Sequence, residues 1–191
     1  MARITTLLKT FGSLIFNRRE IKPRAYPTAP SDYAPPVLTG EPLIKATDIP
    51  VAHTPPGGYG SVFPEPILAT CTEPLGVGIP DLRGVWLCYQ GRLKGHVERI
   101  EQCGNRVIVT AGGVIHDMKA DGTLENGCHD INLTTGEEVH VAVEFKNGKL
   151  LFRPNGGRFV AVRRYLDGDD LIWQYGPFKN RLRRLKEPPK L

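Results

Sequence analysis

The sequence predicts a mainly β protein: a closed up-and-down antiparallel barrel of about 8–10 strands, preceded by a short amphipathic helix and a proline-rich extended arm. Three observations predict it. From Asp81 onward, short alternating runs such as RVIVTA and EEVHVAVEFK are separated by Gly104-Asn105, Gly112-Gly113, Asp121-Gly122, Asn147-Gly148 and Asp167-Gly168. Asn-Gly and Asp-Gly between alternating runs are strong hairpin signals. No helical period interrupts the series, and a long meander gains by closing because closure removes exposed strand edges.

Residues 1–20 come first. Ile4, Leu7, Leu8, Phe11, Leu14 and Ile15 fall on one helical stripe, with Arg3, Lys9, Arg18 and Arg19 elsewhere. This pattern suits a helix docked on the protein's own body, an interfacial membrane helix or an organelle address. Lys9 interrupts any secretory apolar region, and no small-residue cleavage site follows.

Residues 21–80 hold thirteen of the seventeen prolines. Proline fixes φ and lacks the amide donor, so neither a helix nor a central strand persists there. The segment still carries Tyr26, Tyr33, Val37, Leu38, Leu43, Ile44, Tyr59, Val62, Phe63, Ile67 and Leu68. Disordered tracts are poor in such residues. An extended belt is therefore expected, packed on the following domain and covering outward apolar residues such as Ile115 and Leu124. His53, within it, is placed to cap the barrel mouth.

The barrel domain is expected over residues 81–187. Within it, GGVIHDMKADGTLENGCHDI (112–131) repeats His-Asp on either side of Asp121-Gly122. A two-residue type I′ turn there puts His116 opposite Gly127 and Val114 opposite His129. Alternation then aims Val114, His116, Met118, Glu125, Gly127, His129 and Ile131 inward. Ile115, Asp117, Lys119, Leu124, Asn126, Cys128 and Asp130 point outward. His116 and His129 become diagonal neighbours about 6–8 Å apart at Cβ. Glu125 and His129 lie roughly 13 Å apart along one strand, too far for one metal held by all three. The next hairpin supplies an apolar wall of Val139, Val141, Val143, Phe145, Leu150 and Phe152. His140 reads as outward, and His96 and Glu98 as rim residues.

Leu82-Arg83-Gly84-Val85-Trp86 resembles the G-x-W signature of the calycin superfamily, the lipocalins and fatty-acid-binding proteins. IEQCGNRVIVT (100–110) is similar to the second and third strands of bacterial lipocalin-like domains. The resemblance covers roughly residues 81–186. It implies that Trp86 plugs one barrel end and that Arg181, Arg183 or Arg184 covers it.

Composition narrows the function. Net charge is +5, and Lys179–Leu191 holds six Lys/Arg against one acid. That excess reads as a solvated basic end, or one drawn to an anionic lipid surface or a partner; no specific nucleic-acid partner is expected. Cys71, Cys88, Cys103 and Cys128 lack C-x-x-C spacing and read as reduced, buried small hydrophobes. No run approaches the roughly 20 apolar residues of a membrane-spanning helix. G-x-S-x-G, Walker, H-E-x-x-H and dinucleotide patterns are absent. The expected protein is an intracellular, cytoplasmic barrel, with peripheral membrane association as a variant. It holds a small, largely apolar ligand against Val114, His116, Met118, Glu125, His129, Ile131, Val141, Val143, Phe145 and Phe152. The alternative is a barrel enzyme of isomerase, cyclase or lyase type, with His116 and His129 moving protons beside Glu125. Its subsidiary is haem bound through one of these histidines; no other cofactor and no metal is expected. Both alternatives require the two imidazoles on one face.

Overall fold

The computed structural model describes residues 33–60, 62–131 and 138–185. The expected helix over 1–20, the start of the arm and the last residues of the basic end lie outside the described residues. The sheet contains β1 (Gly84–Gln90), β2 (Val97–Cys103), β3 (Arg106–Ala111), β4 (Val114–Lys119) and β5 (Cys128–Ile131). It continues with β6 (Glu138–Lys146), β7 (Lys149–Pro154), β8 (Val162–Asp167), β9 (Asp170–Tyr175) and β10 (Phe178–Arg184).

These strands form one antiparallel sheet in the order β4-β3-β2-β1-β10-β9-β8-β7-β6-β5. The first and last strands pair, with Trp86 opposite Arg184, so the meander curls into a nearly closed barrel. Its two edges, β4 and β5, share no ladder among the described residues. The Lys119 N–H donates to the Asn126 carbonyl (2.8 Å) at one end of this seam.

Turn chemistry explains which hairpins are tight. Asn147 and Gly148 both have positive φ (51° and 69°), as a type I′ turn demands, and β6 pairs directly with β7. Asp121-Gly122 departs from the expectation. Gly122 has φ 86°, but Asp121 is absent from the positive-φ residues, so a type I′ turn is not formed. The Asp121 carboxylate instead accepts from Thr123 N (2.9 Å), Thr123 Oγ1 (2.7 Å) and Asn126 Nδ2 (2.7 Å). This side-chain turn widens the connection. Asp121 bridges to Glu144, and Gly122 N donates to Val143 O (2.8 Å). The expected β4–β5 hairpin is thus replaced by a loop that crosses to β6.

The described residues of 33–80 run along the outside of β2, β3 and β4 and include a 3-10 turn at Ala46–Asp48. Every residue of β2 and of β3 is buried, because one face meets the barrel core and the other meets this segment. Ala46, Leu68 and Cys71 pack on Cys103, Ile108 and Ile115, with Leu38, Ile49, Ala52, Tyr59 and Ile67 around them. A proline-rich segment has no ladder of its own, so charged side chains satisfy its backbone. Arg106 donates to the carbonyls of Ala46 (2.7 Å), Ile49 (2.7 Å) and Pro50 (2.8 Å), and to both oxygens of Asp117. Asp117 accepts from Ala52 N (2.8 Å), Glu101 from Leu68 N (2.9 Å), and Arg99 donates to Pro64 O (2.7 Å). Thr54 covers the seam: its Oγ1 accepts from Ile115 N (2.9 Å) and donates to Asp130 on β5 (3.1 Å). Ile115 is covered as expected, whereas Leu124, carried away by the wide loop, stays 37% exposed.

A disulfide joins Cys71 to Cys103 and ties this segment to the end of β2. The expectation of four reduced cysteines is corrected for this pair, while Cys88 and Cys128 are free and buried.

Candidate functional site

The interior has two unlike ends. At the end where β1 begins, Trp86 points inward and is fully buried. Its Nε1–H donates to the Leu82 carbonyl (2.9 Å), and the Arg184 guanidinium lies 4.6 Å from the ring centre. Gly84 explains the glycine of the motif: a Cβ there would meet Arg184 Cγ and Cδ at 3.2 Å. Leu82, Ile100, Leu171 and Leu182, all fully buried, pack with this plug in the core. Of the three arginines expected as the cover, Arg184 serves. Arg181 instead pairs with Asp167 and Asp170.

At the opposite end, inward side chains remain partly exposed: His116, Phe152 and Trp173 are all intermediate in burial. Glu98, directly opposite Trp86 in the β1–β2 register, makes an ion pair with Arg164. They stand on β2 and β8, which β1, β10 and β9 separate in the sheet, so the pair spans the lumen as a crossbar. His96 Nε2 lies 3.3 Å from the second Glu98 oxygen, and the Arg164 guanidinium stacks 4.4 Å over Trp173. Burial alone would raise the Glu98 pKa. The Arg164 charge and the His96 hydrogen bond overcome it and hold the carboxyl down at about 2.

A third cluster lies at the seam. His116 points inward from β4, with Nδ1 2.9 Å from Asp130 Oδ2 and 3.3 Å from Cys128 Sγ. Burial opposes the imidazolium, but Cys128 and Asp130 prevail and raise His116 to about 10. Sequence reasoning missed Cys128 and Asp130 because it turned them outward. Without the type I′ turn, β5 takes its register from β6, with Cys128 opposite Val141 and His129 opposite His140. A one-residue change of register exchanges the faces of a strand.

The corrections follow from that register. His129 faces outward, where its Nδ1 meets His140 Nδ1 (2.7 Å) and its Nε2 meets Leu124 O (2.7 Å). Glu125 is an exposed loop residue. With Asn126, Gly127, His129 and His53, it borders an outer cleft of about 230 Å³ that also reaches Arg106 and Asp117. His53 therefore lines this cleft rather than capping the mouth. Met118, Val141, Val143, Phe145 and Phe152 join the core cluster inside the barrel, and Val114 shares the inward face of β4 with His116 and Met118. Ile131 ends β5, and its side chain lies outside the described residues. The imidazoles of His116 and His129 stand on opposite faces. The acid–base pair and the haem reading built on the two histidines lose their geometry.

Among the described residues, Cys71, Glu73 and Cys103 are close enough together to hold a metal ion. Their sulfurs are joined, so this trio has no thiolate to offer. Compared with known proteins, the chain matches no family model and no curated protein.

Proposed function

We propose that the protein is a calycin-like barrel that binds a small, largely apolar ligand through its open end. The observation that carries this reading is the asymmetry of the lumen. At one end Arg184 covers the fully buried Trp86, whereas towards the other end Phe152, Trp173 and His116 keep inward side chains within reach of solvent. An apolar lining with a few placed polar groups is the common build of a small-molecule site. Phe152, Trp173, Val162 and Ala161 form a continuous apolar cluster at that mouth.

Native mass spectrometry of the full chain tests the reading. A small molecule that accompanies the folded protein and is lost on denaturation is the expected result. A folded protein of bare polypeptide mass that takes up no apolar compound would overturn it. Helices long and apolar enough to cross a membrane are absent among the described residues. The Cys71–Cys103 bond suits an oxidising compartment, which weighs against the cytoplasmic expectation.

A further inference from the structure

Several inward polar groups near the lumen have their partners within the protein. Gln102 accepts from Leu82 N and donates to Pro80 O. Asn180 accepts from Leu93 N and donates to Trp173 O. Both oxygens of Glu98 are engaged, by Arg164 and by His96. Two buried N–H groups at the open end find no acceptor among the described residues: Arg164 Nε and Trp173 Nε1. They belong to stacked side chains, and Arg164 is only 6% exposed. Buried polar groups are rarely left unpaired in folded proteins, so an orphaned pair in one place points to a missing partner. Both of these N–H groups are donors.

Charge narrows the partner further. The Arg164 cation is already answered by Glu98 across the lumen. A ligand carboxylate would bring a second anion beside the fully buried Glu98, with Arg164 paired to Glu98 and His116 paired to Asp130. A ligand ammonium would meet the converse. We propose that the ligand is an uncharged, mainly apolar molecule carrying a hydrogen-bond-accepting oxygen, such as a ketone or ester carbonyl. That oxygen accepts from Trp173 Nε1 and Arg164 Nε, while the apolar body lies against Phe152 and Val162. This rests on the ligand-binding reading above.

The two tryptophans of the chain give an internal control. In a ¹⁵N–¹H spectrum of the full chain, the Trp86 indole N–H is held by Leu82 O, whereas that of Trp173 is buried with no acceptor among the described residues. Decan-2-one, decanoate and decylamine are titrated as probes of matched length. The expected result is saturable binding of decan-2-one at least tenfold tighter than either charged probe, shifting the Trp173 indole signal and leaving that of Trp86 in place. Trp173→Phe keeps the ring, removes the N–H and weakens the ketone about 3- to 12-fold. Glu98→Gln leaves Arg164 unanswered and turns the preference towards decanoate. Tightest binding of decanoate or decylamine to the unaltered protein, or ketone binding with a stationary Trp173 signal, would overturn the proposed class while leaving a ligand-binding barrel. Binding of none of the three would overturn the barrel reading itself.

Discussion

Replacing Arg106 by Met keeps the aliphatic bulk of the side chain and removes its five hydrogen bonds. Arg106 is 3% exposed, and its partner Asp117 is equally buried at the side chain. The substitution leaves Asp117 with Ala52 N alone and strips the donors from the carbonyls of Ala46, Ile49 and Pro50. Removing one partner of a buried ion pair costs about 3–5 kcal/mol. Each carbonyl left dry adds to that, but water entering the adjacent cleft offsets the addition, so about 3–5 kcal/mol stands for the whole. Urea unfolding of the two single variants and of Arg106→Met/Asp117→Leu gives the measurement. Each single variant should lose several kcal/mol, and the double variant should regain part of it. The segment around residues 46–52 should also become sensitive to protease before the barrel unfolds. A loss below about 1 kcal/mol in Arg106→Met, within the range of ordinary surface changes, would refute the idea that buried charges hold the proline-rich segment on the barrel.

Other expectations follow from the same contacts. Opening the Cys71–Cys103 bond, which spans a sequence separation of 32, should lower stability by about 3–4 kcal/mol on the loop-entropy account; an unchanged urea midpoint under reductant would contradict it. Trp86→Ala should cost about 3–5 kcal/mol as a buried large-to-small change, and Arg184→Ala about 1 kcal/mol through its lost cation–π contact, both read by thermal unfolding. The Glu98 carboxyl is depressed in the folded state, so its contribution, on the order of 3 kcal/mol, is complete above the ordinary carboxylate range and lost as pH falls towards about 2. His116 is raised, so its contribution is complete below the ordinary imidazole range and lost as pH climbs towards about 10. Stability against pH should therefore peak between those ranges, with the acid limb flattened in Glu98→Gln. A chain beginning at Asp81 should be poorly soluble, since it bares Ile108 and Ile115; a stable, soluble product would count against the covering role.

Much of the barrel was legible because local signals and tertiary demand agreed. Asn147-Gly148 asks for positive φ at both residues and receives it. Trp86 and a C-terminal arginine were found from the glycine-tryptophan pair. The seam was not legible, because Asp121-Gly122 carries a hairpin signal while its aspartate also has Thr123 and Asn126 to bind. A side-chain turn won, β5 took its register from β6, and the expected His116–His129 partnership became His116 with Cys128 and Asp130. The clamp residues escaped for a different reason. Arg99, Glu101, Arg106 and Asp117 alternate with the core residues of β2, β3 and β4, and of the four only Asp117 was placed, pointing outward. Period-two alternation reveals which way a side chain points, not what lies over it. The disulfide needed that same missing fact, since Cys71 meets Cys103 only through the path of the covering segment.

Titration of the full chain with N-phenyl-1-naphthylamine, a neutral apolar fluorophore, tests the ligand-binding barrel most directly, with energy transfer from Trp173 as the readout. The account predicts saturable one-to-one binding, competed by decan-2-one and abolished when Val139→Trp fills the interior of a still-folded protein. Absent or non-saturating binding, or binding that Val139→Trp leaves intact, would contradict it.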